Sequence, residues 1–194
     1  GPSPPFSHFS LGPGKRVLAC RMHGWRPGTS RRAASQQIFW SFARAGVARV
    51  IAEGGVGTIR TDHLPGDLCV PLDYIDWSCR RDTALSDDYL LIMRDPLCHS
   101  LRNALLTTAR THLPPDRIHD RGVYAGTGGR RVESRAEVGA LAGMGADVIG
   151  QSLAPEGYLA REVGACYAGI HQIVNRAEGI GEDWSHDELS DLVH

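Results

Sequence analysis

Apolar positions along this chain fall into short runs separated by stretches with helical spacing. Residues 16–20 (RVLAC), 47–52 (VARVIA), 122–125, 146–150 and 166–174 read as strands, because β-branched and apolar residues run together between glycines. Residues 68–72 (LCVPL) read as a further strand, which Pro71 makes irregular or places at an edge. Between these runs lie helix patterns. Residues 30–45 carry Gln37, Phe39, Trp40 and Phe42 near their centre and stop at Gly46. Residues 100–112 form another, ending before Pro114 and Pro115. Ser134-x-x-Glu137 is a capping box that opens a helix to about Met144. Pro155 suits the first turn of a helix reaching Val163, and Ser185-x-x-Glu188 opens a last one. Strand and helix alternate throughout. The pattern predicts an α/β fold, a sandwich whose central mixed sheet is covered on both faces. No repeat or linker divides the chain, so residues 1–194 are read as one domain.

Composition changes this picture little. The 42% apolar share is enough for a core, and a net charge of -1 implies no nucleic-acid or membrane partner. No apolar run approaches the roughly 20 residues of a membrane span. Five cysteines (Cys20, Cys69, Cys79, Cys98 and Cys166) have wide spacings and no CxxC, which predicts free thiols and a cytoplasmic setting. No Cys/His spacing suggests a metal.

Polar residues at strand ends are the candidate chemistry, since open α/β sheets bind ligands there. Glu53-Gly54-Gly55-Val56-Gly57-Thr58 follows VARVIA and reads either as a tight turn or as a loop whose amides face an anion. Arg21-Met22-His23-Gly24-Trp25 ends the first strand. Arg21 and His23 suit an oxyanion and Trp25 a ribose, against the alternative of a surface Arg beside a partly buried His. Val132-Glu133 precedes the capping box, Gly150-Gln151-Ser152 turns from strand to helix, and Asn175 leaves the longest apolar strand. His186 begins the final helix. Each has an ordinary structural reading, as dipole, turn or first-turn residue.

Their order resembles the trimeric purine nucleoside phosphorylase and methylthioadenosine phosphorylase family over nearly the whole chain, from about Phe6 to Leu192. The resemblance is carried by residues 131–137, then GADVIGQSLAPEGYLAREVGACYA, then IVNRAEG followed by SHDEL. It implies a nucleoside phosphorylase-like fold. Asn175 is then similar to the residue that hydrogen-bonds purine N7, and Glu133 to the carboxylate that accepts from N1–H of a 6-oxopurine. Val132 stands where an aromatic residue usually packs on the base. Gln151 replaces a methionine beneath the ribose, and His186 resembles a contact to the ribose 5′-hydroxyl. Arg21, His23 and Ser152 resemble phosphate contacts, Gly55 would offer its amide, and Gly54 replaces a hydroxyl residue. Measured against the family, the chain begins after its first strand and Gly-rich phosphate loop, and it ends where relatives carry a longer final helix.

The resemblance implies phosphorolysis of a 6-oxopurine nucleoside such as guanosine or inosine, with phosphate as co-substrate and no other cofactor. A phosphate-independent hydrolase for a specialised nucleoside is the alternative, and a non-catalytic purine-binding subunit a third. The resemblance also implies a homo-oligomer, a trimer in relatives. Residues 91–98 look like its intersubunit segment, although they lack the usual aromatic cap.

Overall fold

The computed structural model describes residues 5–21, 28–78, 83–86, 88, 90–129 and 131–181. The order of elements is β1 (Ser7–Ser10), β2 (Arg16–Ala19), α1 (Arg31–Arg44), β3 (Arg49–Thr58), β4 (Leu68–Cys69), β5 (Asp73–Asp76), α2 (His99–Ala109), β6 (Ile118–His119), β7 (Val123–Gly126), α3 (Arg135–Gly143), β8 (Val148–Gly150), α4 (Leu153–Glu162) and β9 (Cys166–Arg176). β1 and β2 form an antiparallel pair of their own. The other seven strands make one mixed sheet in the order β5-β7-β8-β3-β9-β4-β6. Its long spine is the parallel β3–β9 pair, which runs from Arg49 opposite Cys166 to Thr58 opposite Arg176 with one shift of register between Val56 and Gly57. Here the α/β expectation holds.

Helices cover both faces. On one, α1 (Ile38, Phe39, Phe42) and α4 (Leu153, Leu159, Ala160) pack over Tyr124, Val148, Tyr167 and Ile173. On the other, α3 sets Val138 and Leu141 against Ile59, Ala125 and Ile149, while α2 sets Leu106 and Ala109 against Val70 and Ile118. Tyr124 and Ala125, or Val148 and Ile149, thus point to opposite faces, as the pleat requires. Helix starts follow local chemistry. The Ser30 hydroxyl accepts from Ala33 N, and the capping box of Ser134 and Glu137 is formed.

Three expectations are corrected. The strand of residues 47–52 does not end at a glycine loop. It continues as β3 through Gly54 and Gly55, which pair with His171 and Gln172, because an eleven-residue partner strand supplies ladder bonds that outweigh the weak strand propensity of glycine. The strand read at residues 68–72 is shorter than that and is not at an edge, the irregular alternative being the one that fits. β4 spans two residues and lies between β9 and β6, while Pro71 falls beyond it. The cysteines are not all free: Cys98 and Cys166 form a disulfide of 2.14 Å across 68 residues. Packing of α2 on β9 brings them together, with Cys98 N donating to Tyr167 O at 2.8 Å, and linear spacing carries no trace of that approach. Cys20 and Cys69 are free thiols, and burial pushes Cys69 up to about 12. Cys79 and the last helix lie outside the described residues. Among those described, no helix is long and apolar enough to cross a membrane.

Candidate active site

β7 and β8 run parallel and end side by side, Gly126 opposite Gly150. The β7–α3 loop carries Val132 and Glu133, and the β8–α4 turn carries Gln151 and Ser152. The two are tied together. Gln151 Nε2 donates to Arg131 O at 3.2 Å, so this amide holds the neighbouring loop. Arg131 grips Glu137 with Nη1 at 2.7 Å and Nη2 at 2.5 Å, and Ser134 N donates to the same carboxylate at 2.8 Å. The Arg131 hydrogen bond, then the Ser134 backbone, holds Glu137 down at about 2. Glu137 is therefore committed to its cap. Glu133, half-buried four residues earlier, has no hydrogen bond or ion pair to its carboxylate among the described residues. Val132 beside it is 44% exposed.

Asn175 is placed by a β-bulge. Val56 pairs with Ile173 but Gly57 pairs with Asn175, so Val174 is the extra residue. Ile173 faces the α1/α4 core, and the bulge lets Val174 turn its methyls towards Gly55, where a Cβ would lie 3.1 Å from Cγ1. A Cβ on Gly57 would sit 3.5 Å from Asn175 Oδ1. Asn175 Nδ2 donates to Arg176 O at 2.8 Å, and its Oδ1 has no hydrogen-bond partner among the described residues. The chain leaving β9 then passes the first turn of α3, where a Cβ on Gly179 would be 3.1 Å from Arg135 Cγ. The exit carrying Asn175 and the helix start behind Glu133 are thus neighbours.

Gly54 is half-buried and Gly55 exposed. β8 pairs with β3 only at Gly57 and Thr58, so among the described residues the β8 side of β3 has no ladder partner at Gly54 and Gly55. The nest expected of a loop is therefore replaced by an open stretch of strand.

Ser152 stands at the N-terminus of α4 without capping it. Instead its Oγ lies 3.3 Å from the Tyr124 hydroxyl, which also accepts from Ser152 N at 3.3 Å. Tyr124 is fully buried, and burial raises its pKa. A side chain at Gly150 is excluded by it, since a Cβ would lie 2.0 Å from the Tyr124 hydroxyl oxygen. The Ala154–Pro155 peptide that follows is cis.

From α1, Arg31 Nη1 donates to Gly128 O and Nη2 donates to Gln151 O at 3.0 Å. Neither Tyr124 nor Arg31 was singled out by the sequence. Nothing marks a tyrosine inside a short apolar strand. An arginine in a first helical turn does stand out faintly, because the helix dipole disfavours it there. Arg21 lies exposed just past β2. His23, Trp25 and His186 lie outside the described residues.

Loops tied together at the ends of adjacent sheet strands are where an α/β fold places a ligand. The family model described as the phosphorylase superfamily matches residues 4–193. This chain belongs to the phosphorylase superfamily. It is 36% identical over 160 residues to a probable S-methyl-5′-thioinosine phosphorylase of Methanopyrus kandleri, covering 80% of this chain and 62% of that protein. It is 33% identical over 165 residues to a 6-oxopurine nucleoside phosphorylase of Pyrococcus furiosus, covering 79% and 62%. The chain thus spans about three fifths of the length of these relatives. Among solved structures, an adenosine/methylthioadenosine phosphorylase of Schistosoma mansoni superposes with a TM-score of 0.81 at 21% identity, over 99% of this chain and 76% of that one. A methylthioadenosine phosphorylase from an antarctic soil metagenomic library gives 0.74 at 22%, over 83% and 61%. At these identities the structures establish the fold.

Proposed function

We propose that the chain binds a 6-oxopurine nucleoside and cleaves its N-glycosidic bond by phosphorolysis. The observation that carries this is the presence of two acceptors with no competing partner among the described residues: Asn175 Oδ1, whose Nδ2 is engaged, and the unengaged carboxylate of Glu133. Negative charge builds on the purine as the bond to the sugar breaks. Protonation at N7 neutralises it, and an acceptor beside N7–H strengthens its contact in the transition state. A carboxylate facing N1–H favours hypoxanthine or guanine. Adenine, which has no N1–H, would leave it unpaired. Relatives bearing the names 6-oxopurine nucleoside phosphorylase and S-methyl-5′-thioinosine phosphorylase support this base preference. Ser152, Arg21 and His23 would hold phosphate. His186 would meet the 5′ substituent. Second copies of the chain complete the reading: Leu90 is 93% exposed and Ile92 67% exposed, at or beside residues 91–98, where an intersubunit surface is expected.

The test is base release from inosine, guanosine, S-methyl-5′-thioinosine and adenosine, each with and without phosphate. Phosphate-dependent release of hypoxanthine or guanine is expected. Equal rates without phosphate would transfer the reading to a hydrolase. Absence of release from every nucleoside, or a preference for adenosine, would overturn it.

A further inference from the structure

We propose that Arg31 is a positioning residue of this site, a fork that fastens the β7–α3 loop to the β8–α4 turn so that they move together. The proposal rests on the functional reading above for its meaning, although its geometry stands independently. One guanidinium donates to a carbonyl in each segment: Gly128 O, between β7 and the Val132-Glu133 pair, and Gln151 O, immediately before Ser152. These carbonyls follow strands adjacent in the sheet and lie 23 residues apart in sequence, while Arg31 is 97 residues upstream of one and 120 upstream of the other. The two planar N–H groups suit this role, since a guanidinium presents donors in a fixed fork where an ammonium presents a rotating point.

Two independent features fit it. Gly129 adopts φ +71°, and a Cβ built there would lie 1.4 Å from Arg31 Nη1 and 2.7 Å from Gln151 Oε1. The fork therefore lies against bare backbone, in space any side chain would fill. Second, Arg31 is the first residue of α1, behind an N-cap serine and with no acidic residue in that turn. A cation is disfavoured there by the helix dipole. The two carbonyls give the charge a compensating environment beyond α1. Gln151 Nε2 donating to Arg131 O adds a second tie between the same segments. Under the functional reading, Glu133 and Ser152 ride on opposite sides of this joint. Loosening it would therefore separate the group that reads the base from the group that meets phosphate.

Arg31→Ala and Arg31→Lys in the full chain test the proposal by amide hydrogen exchange. For Arg31→Ala, exchange at residues 127–134 and at 151–153 is expected to accelerate together, by roughly tenfold or more, while the core of α1 around Phe39 keeps its protection. Arg31→Lys should restore little, and millimolar guanidinium should slow exchange in Arg31→Ala at both segments. Acceleration at only one segment, at neither, or throughout α1 overturns the fork. The same variants are then assayed with inosine and phosphate. A fall in kcat of roughly tenfold or more with a near-constant melting temperature, partly rescued by guanidinium, is expected. If the wild-type chain releases no base, the functional reading fails, while the exchange result still decides the fork.

Discussion

At the scale of single residues, chemistry here depends on which polar groups are already spent. Glu133 and Glu137 are four residues apart and look interchangeable in sequence. Glu137 closes a cap and is bound by Arg131, while Glu133 is uncommitted. Of these two carboxylates, the functional reading therefore assigns recognition of the base to Glu133. Glu133→Gln is expected to lower kcat/KM for inosine by roughly 10–100-fold, the cost of one mismatched hydrogen bond to the base. Its effect on thermal stability should be small. Steady-state kinetics beside a melting curve measures both, and an unchanged kcat/KM would remove Glu133 from the site. Candidate residues at strand ends were legible because apolar runs locate those ends. Arg31 and Tyr124 were not, since they act on Gly128, Gln151 and Ser152 through contacts closed by the fold.

At the scale of elements, the local signals were reliable wherever the stabilising partner was close in sequence. Ser134 and Glu137 form their box three residues apart, and Gly46 ends α1 at φ +68°. Ser134→Ala is expected to cost about 1 kcal/mol of stability. It should also loosen the loop carrying Glu133, because the lost hydroxyl releases Glu137 N, and the Glu137 carboxylate is what holds Arg131 in that loop. Urea denaturation gives the first effect and a raised KM for the nucleoside the second. A KM equal to wild type would uncouple the cap from the site. The reading failed where the partner was remote. Gly54 and Gly55 are strand residues because β9 lies alongside them, and β4 is interior because β6 pairs on its far side. Glycine and proline set only what a backbone can do by itself, and a sheet decides what it does.

At the scale of the molecule, burial sets the response to acid. The His171 imidazole is fully buried on β9, its ring 4.9 Å from that of Tyr124. Burial pushes it down to about 4, against a smaller opposing contribution from the Gly54 backbone. His63, stacked at 3.6 Å on His119, is lowered in the same direction by burial and then by the charge of His119. Unfolded histidine titrates near 6.5, so below that pH the unfolded chain binds more protons than the folded one. The contribution of these histidines to stability is therefore complete above about pH 6.5 and is lost as pH drops towards 4, with His171 accounting for about 3 kcal/mol of the loss. Urea midpoints between pH 7 and pH 4 should show this decline, and His171→Leu should make it shallower. An equally steep profile in the variant would refute the assignment. The sequence by itself determined the alternation of strands and helices, the caps and the positions where strands end, because each depends on neighbours within a few residues. Only the tertiary structure decided the Cys98–Cys166 bond, the continuation of β3, the bulge that turns Asn175 and the fork of Arg31. These arise where segments tens of residues apart are brought within hydrogen-bonding or bonding distance, and that proximity follows from packing both faces of one sheet.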